Sequence, residues 1–343
     1  MKAAVMERIG EISIKEVGMP APKEKEVLVR VKHVGICGSD IHYYEHGRIG
    51  DFIVTKPIIL GHESAGEVVC AGNGVTGFQA GDRVCLEPGV PCGVCEYCRS
   101  GRYNLCPEVA FMATPPYDGA FAEYIAYPEH MTFKLPEGVG TMEGALIEPL
   151  AVGFHAAAQA GAKIGQSAAI LGSGCIGLVT LLALRTMGIR EIYMSDLIPK
   201  RLEKAGELGA AEAFRADEQD VVREIMQRTK GKGVDMVFET AGSRAATQQT
   251  AELVKRGGTV TLVGMAPDAV IPYDFGRLLS KEACIRTVFR YRNLYAPAIK
   301  AVAAGLIPLE KIVTDRFRFD ETDRAMKYSV ENKREIVKAV IEF

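Results

Sequence analysis

Much is missing from this 343-residue sequence, and each absence narrows its function. There is no long run of Lys or Arg, and 41 basic residues against 43 acidic ones leave a formal net charge of -2. That balance argues against a nucleic-acid surface and against a polybasic membrane patch. The opening segment, MKAAVMERIGEISIKEV, lacks the apolar core of a secretion signal. No apolar stretch is long enough to span a bilayer, and the richest, Ile176 to Leu184, is far too short. Repeats and low-complexity segments do not stand out. The expectation is a soluble, cytoplasmic protein with a small-molecule partner.

What is present is an ordinary globular mixture, 48% hydrophobic and 24% charged, in a chain long enough for two domains. Its cysteines are unevenly spread. Of nine, four fall at Cys92, Cys95, Cys98 and Cys106. Without a secretory signal a disulfide framework is not expected. The pattern C-x2-C-x2-C-x7-C suits a closed tetrahedral zinc site made of four thiolates. With no open coordination position, such a site is structural. The competing reading is four free surface thiols, and a DNA-binding finger is disfavoured because the neighbouring residues are not strongly basic.

The chain changes character twice. Residues 1–149 read as short strands broken by Gly and Pro, as in EVLVRVKHVGI, where apolar and polar residues largely alternate. The structural zinc lobe occupies about 88–110 of this domain. Residues 150–288 take up a strand–helix–strand rhythm. AAILGSG is an apolar strand entering a Gly turn, Ile176 to Met187 reads as a helix, EIYMSD as a strand, and PKRLEKAGEL as a helix with Pro199 in its first turn. VDMVFETAG, TVTLVGM and CIRTVF continue the strands. This alternation predicts a parallel sheet covered on both faces. Over 289–343 the rhythm lapses, and that segment is expected to return to the first domain. The fold class is therefore α/β: a mainly-β domain plus a doubly wound parallel-sheet domain.

Gly172-Ser173-Gly174-Cys175-Ile176-Gly177 fits G-x-G-x-x-G between a strand and a helix, which is the context that gives this weak pattern meaning. Gly172 permits the tight turn, Gly174 lets the backbone approach a pyrophosphate, and Gly177 lets helix and strand pack closely. Phosphates would then sit at a helix N-terminus. Asp196 ends the next strand, where a carboxylate can bind both ribose hydroxyls and repel a 2′-phosphate. NAD is thus favoured over NADP, although Arg201 could stack on adenine or offset the repulsion. A Gly-rich turn without a ligand is the bland alternative.

Other candidates are scattered. Cys37 follows a strand, His62 and Glu63 lie in ILGHESAGEV, and Glu148 lies in GALIEPLAVG. Each is a poor signal alone, since a lone Cys is more often a small buried residue than a ligand. Together with Gly35-Ile-Cys-Gly-Ser-Asp-Ile-His-Tyr43, Gly47-Arg-Ile-Gly50, Gly81-Asp-Arg-Val84, Glu148-Pro149 and Phe289-Arg-Tyr291, they make the chain resemble the zinc-containing medium-chain dehydrogenases. Within that family the sorbitol (polyol) dehydrogenase branch is the nearest match. The resemblance extends over nearly the whole chain.

It implies a GroES-like catalytic domain, a Rossmann domain, two zinc ions per chain and NAD. It implies a catalytic zinc held by Cys37, His62 and Glu63 with Glu148 nearby, and leaves open which carboxylate binds directly. A carboxylate at 148, where simple alcohol dehydrogenases carry Cys, suits a site tolerant of extra oxygen ligands and hence a vicinal diol. Zinc as a Lewis acid would activate the alcohol for hydride loss to the nicotinamide. Ser39 and His42 are implied as the proton relay, and Tyr43, Arg290 and Tyr291 as substrate contacts. Ile176, Val263, Gly264, Met265, Val288, Phe289 and Arg290 would border the cofactor. The implied activity resembles that of L-iditol 2-dehydrogenase in a homotetramer. Alternatives are dehydrogenases of 2,3-butanediol, threonine or an aldose, and, from a different class, a catalytically silent NAD-binding protein.

Overall fold

The strand Glu26–Ile36 organises the first half of the chain. Most of its residues are buried, in runs at 27–29 and 34–36, and Val27, Val29, Val31 and Val34 are at most 1% exposed. β-Branched side chains of this kind pack well on a pleated surface. One edge pairs antiparallel with Glu63–Ala71. The other is shared: residues 26–30 pair with Tyr124–Pro128, and 33–36 pair with Ala339–Glu342, near the end of the chain. At eleven residues the strand is long enough to serve two partners on one side. Its last residue, Ile36, delivers Cys37 to the edge of the sheet.

The structure, a computed structural model, describes residues 1–266 and 270–343. They form two units, one of Met1–Glu148 with Tyr295–Phe343 and one of Pro149–Leu294. The first unit is mainly β. It also holds α-helices among its strands and turns, including Gly38–His46, Thr141–Ala145, Tyr295–Ala303 and Thr322–Glu331. The helix Gly38–His46 starts because the Cys37 N–H donates to Asp40 Oδ2 at 2.9 Å, a capping interaction that needs no apolar periodicity.

In the second unit six strands run parallel in the spatial order Glu212–Arg215, Glu191–Asp196, Ser167–Leu171, Val234–Glu239, Val254–Leu262, Cys284–Thr287. In chain order this is 3-2-1-4-5-6, the doubly wound arrangement, and ligands of such sheets bind at the carboxyl ends where the order reverses. The reversal falls beside Ser167–Leu171, a strand buried along its whole length. Burying Ile170 and Leu171 contributes roughly 1.5–3 kcal/mol each and anchors the turn that follows. Among the described residues no helix is long and apolar enough to cross a membrane.

Candidate metal and dinucleotide sites

Two strands of the first unit converge. Cys37 leaves the end of Glu26–Ile36, and His62 and Glu63 enter the strand Glu63–Ala71. One ligand atom from each of Cys37, His62 and Glu63 lies within 4.8 Å of the others, and His62 and Glu63 are buried. Asp40, 1% exposed, organises this trio. Its Oδ1 accepts from the Gly61 N–H at 2.9 Å and lies 3.5 Å from His62 Nδ1, while Oδ2 accepts from the Cys37 N–H. One carboxylate thus ties both ligand-bearing segments together and fixes the imidazole.

The charges favour a cation here. Burial disfavours a charged His62, yet Asp40 and Cys37 outweigh it and hold the imidazole well above its ordinary pKa. Burial also opposes the Asp40 carboxylate, and His62 with the two N–H donors overrides it and keeps Asp40 low. The Glu63 carboxylate is buried and paired with the Lys338 ammonium, which donates to Oε1 at 2.6 Å and also contacts Oε2. A soft thiolate, an imidazole oriented through its second nitrogen and a carboxylate suit zinc with a position left open. The residues present therefore fit the metal.

Glu148 is buried at the start of Ile147–Ala160 but does not join the group of three. It sits instead in the field of Glu87. Burial pushes the Glu87 carboxyl up to about 7, against a hydrogen bond from Tyr103, and the Glu148 charge adds to the rise. Tyr103 Oη donates to Glu87 Oε1 at 2.6 Å and Tyr127 Oη to its backbone oxygen at 2.6 Å. Asp40 and Glu87 are the acids that sequence reasoning left unassigned. Asp40 could have been found from its place three residues after Cys37, a capping spacing. Glu87 carries no such signal.

Ser39 is half-buried in the first turn of Gly38–His46, while His42 is exposed and meets His46 edge-on at 4.7 Å. Tyr43 is 3% exposed and belongs to the hydrophobic core of the unit.

Cys92, Cys95, Cys98 and Cys106 also come together within 4.8 Å. Cys95 and Cys98 Sγ are 3.4 Å apart and Cys92 and Cys98 Sγ 3.9 Å. The backbone N–H groups of Val94 and Cys95 lower the Cys92 thiol, while burial and then the neighbouring thiols raise Cys98. Four sulfurs this close cannot all ionise without a cation among them.

In the second unit Gly172 has φ of +109°, and a Cβ on Gly177 would stand 2.0 Å from the Gly172 carbonyl oxygen. Both positions require glycine. Gly174 caps the helix Cys175–Thr186, which contains Ile176, so free N–H groups open onto the turn. Asp196 Oδ2 accepts from the Ser173 N–H at 2.7 Å and Oδ1 from the Ile198 N–H at 3.0 Å. Each oxygen keeps acceptor capacity for a ribose hydroxyl. Arg201 reaches over the turn, its Nη1 3.7 Å from where a Cβ of Gly174 would lie.

Val263 and Gly264 donate to the Glu239 carbonyl at 2.9 Å, and Val288 to that of Leu262 at 3.0 Å. These residues therefore mark the carboxyl ends of the sheet. Met265 is 74% and Phe289 53% exposed, and the Arg290 guanidinium lies 4.8 Å from the Phe289 ring centre. Arg290 has a positive φ of 55°, whereas Tyr291 is buried.

Residues 23–137 match the alcohol dehydrogenase GroES-like domain family, and residues 175–304 match the zinc-binding dehydrogenase family. The chain is 44% identical to sorbitol dehydrogenase of Bacillus subtilis (strain 168) over 341 residues, 99% of this chain and 97% of that protein. Among solved structures it resembles an oxidoreductase/dehydrogenase of unknown specificity from Escherichia coli, with a TM-score of 0.96 and 44% identity over 99% of this chain and 98% of that one. It also resembles a zinc-binding dehydrogenase from Sinorhizobium meliloti 1021 bound to NADP, with a TM-score of 0.93 and 32% identity over 100% and 99% of the two chains.

Proposed function

The chain belongs to the zinc-containing medium-chain dehydrogenases, close to the polyol dehydrogenases of that family, and on that premise we propose that it oxidises a secondary alcohol of a polyol to a ketose, with hydride passing to NAD. The observation that carries this reading is the convergence of Cys37, His62 and Glu63, one ligand atom from each within 4.8 Å of the others. Zinc bound there would act as a Lewis acid toward the alcohol oxygen.

The chain's own residues do the rest. Asp40 holds His62 in one orientation. Ser39, in the first turn of the helix that Cys37 caps, takes the hydroxyl proton and passes it toward exposed His42, general acid–base help worth about 10²–10⁴-fold. Glu148, with Glu87 behind it, lines the site with buried carboxylates that favour a polyhydroxylated substrate over a simple alcohol. By family resemblance Tyr43, Arg290 and Tyr291 are the substrate contacts, Arg290 offering donors that stay charged. The Cys92–Cys106 lobe holds a second, structural zinc.

Gly172, Gly174, Ile176 and Gly177 cradle the pyrophosphate. Asp196 takes the ribose hydroxyls, and its charge disfavours a 2′-phosphate, with Arg201 as a partial offset. Val263, Gly264, Met265, Val288 and Phe289 border the nicotinamide. The chain also reads as a homo-oligomer, a tetramer by family analogy. Support comes from the edge strand Cys284–Thr287, exposed along its length and flanked by exposed Phe275 and Leu279.

Initial rates over sorbitol, xylitol, threonine and 2,3-butanediol, each with NAD and NADP, test the assignment. The expected result is a polyol with the highest kcat/KM and at least a roughly tenfold preference for NAD, equivalent to about 1.4 kcal/mol. No activity on any polyol, or equal use of the two cofactors, would overturn the corresponding half.

A further inference from the structure

A buried lysine stands behind the candidate metal trio. Lys338 is 3% exposed, and its ammonium donates to the Ile36 carbonyl at 3.0 Å and to Glu63 Oε1 at 2.6 Å. It also pairs with Glu63 Oε2, which lies close but out of line for a hydrogen bond. Ile36 immediately precedes Cys37. One ammonium therefore grips the backbone beside the first ligand of the trio and the carboxylate of the third.

The strand register explains how a residue near the end of the chain arrives there. Ala339 pairs with Ile36 and Val340 with Gly35. This places Lys338 at the mouth of the loop that carries Cys37. The floor of the pair is Gly35, where a Cβ would stand 2.0 Å from Glu63 Oε2 and 3.0 Å from Lys338 Cε. Any larger residue at 35 would push carboxylate and ammonium out of their slot.

We propose that Lys338 is a positioning residue for the metal site, clamping the Glu63 carboxylate and offsetting its charge so that Glu63 is held in place as a deliberately weak ligand. The inference rests on the reading that Cys37, His62 and Glu63 hold the catalytic ion. The argument is one of charge. Cys37 thiolate and Glu63 bring two negative charges, and Lys338 cancels one. The loaded site with zinc then keeps a net positive charge and stays electrophilic. Without Lys338 the two anions would neutralise the ion and bind it more tightly. A buried carboxylate without a partner is costly, so the metal-free protein would suffer and the ion would become the partner Glu63 needs. By linkage, whatever strengthens binding to the folded chain enlarges the stabilisation that metal brings.

The test uses the full-length chain with cobalt(II) in place of zinc, titrated against a chelator and followed by visible absorption and thermal unfolding. For K338M the expected result is at least a tenfold tighter second cobalt, a shifted absorption band, a lower Tm without metal and a larger metal-induced rise in Tm than wild type. A merely structural lysine would lower Tm equally with and without metal, and that result would overturn the proposal. So would unchanged or weaker affinity. Should K338M not fold, K338Q keeps a donor while removing the charge, and the same tightening is expected of it. E63Q gives an independent reading. It leaves the ammonium facing the metal, so cobalt affinity should fall more than a hundredfold, and unchanged affinity would contradict the clamp. If wild type binds cobalt only at the four cysteines, the metal reading falls and the proposal with it. If wild type binds two ions and both Lys338 variants match it, only the proposal falls.

Discussion

At the scale of single residues the site is a set of short hydrogen bonds around charges. Ser39 is the residue whose assigned role is most exposed to experiment. Ser39→Ala should cut kcat by about 10²-fold or more, in line with the loss of acid–base help, and leave the dissociation constant for NAD near wild type. Stopped-flow fluorescence and steady-state rates separate the two, and wild-type turnover would remove Ser39 from the relay. The residues that hold the ligands were less legible in sequence than the ligands. Cys37, His62 and Glu63 stood inside motifs, and Asp40 sat unremarked in one of them. Lys338 lies in IVKAVIEF and gives no hint of a site until strand pairing sets it against Ile36 and Glu63. Long-range pairing of this kind has no local signature, because it depends on which strands meet and in what register.

At the scale of elements, the turn from Ser167–Leu171 into Cys175–Thr186 carries the clearest prediction. A Cβ at 177 would meet the Gly172 oxygen at 2.0 Å, well inside any contact that real side chains make. Gly177→Ala should weaken NAD binding at least a hundredfold by forcing the helix away from the strand, measured by calorimetry. Unaltered affinity would mean that the turn does not cradle the dinucleotide. This element was readable because its constraint is local: three glycines, a preceding apolar strand and a following helix all lie within about twenty residues. The helix Gly38–His46 was not, because it is started by one side chain capping one N–H and its apolar residues show no strong stripe. The strand Cys284–Thr287 was legible as a strand, whereas its place at the sheet edge came only with the topology. If copies associate there, Ile285→Lys should shift sedimentation to a smaller species at micromolar concentration, since a charge on an edge opposes pairing. An unchanged sedimentation coefficient would move the interface elsewhere.

At the scale of the whole molecule, acid sensitivity has opposing sources. His155 is buried, and burial followed by the Arg292 charge lowers its pKa to about 4. The unfolded chain takes up that proton first, so stability from this group is present above about pH 6.5 and lost as pH falls toward 4. Glu87, raised by burial to about 7, works the other way, its contribution fading as pH rises from about 4.5 to 7. Wild type should therefore look flatter than either group alone. His155→Gln removes one side, and its stability relative to wild type should rise by about 2 kcal/mol between pH 7 and pH 5, measured by urea unfolding. A constant difference across that range would show that His155 is not held neutral. The division of labour also belongs to this scale. The strand-and-turn character of the first part and the strand–helix rhythm of the second were legible in sequence. The return of the chain end to pair with Glu26–Ile36 was only an expectation there, because a change of rhythm marks a departure and not a destination.

The central claim is that a zinc-dependent oxidation of a polyol runs on NAD at the Cys37, His62 and Glu63 site. Its most direct test is the rate of NADH formation from sorbitol or xylitol before metal removal, after dialysis against a chelator, and after zinc is restored, with zinc content measured at each stage. The account predicts two zinc ions per active chain, loss of turnover when the more readily removed ion leaves, and recovery when it returns. Full turnover with that ion absent, or no NADH from any polyol with both ions present, would contradict it.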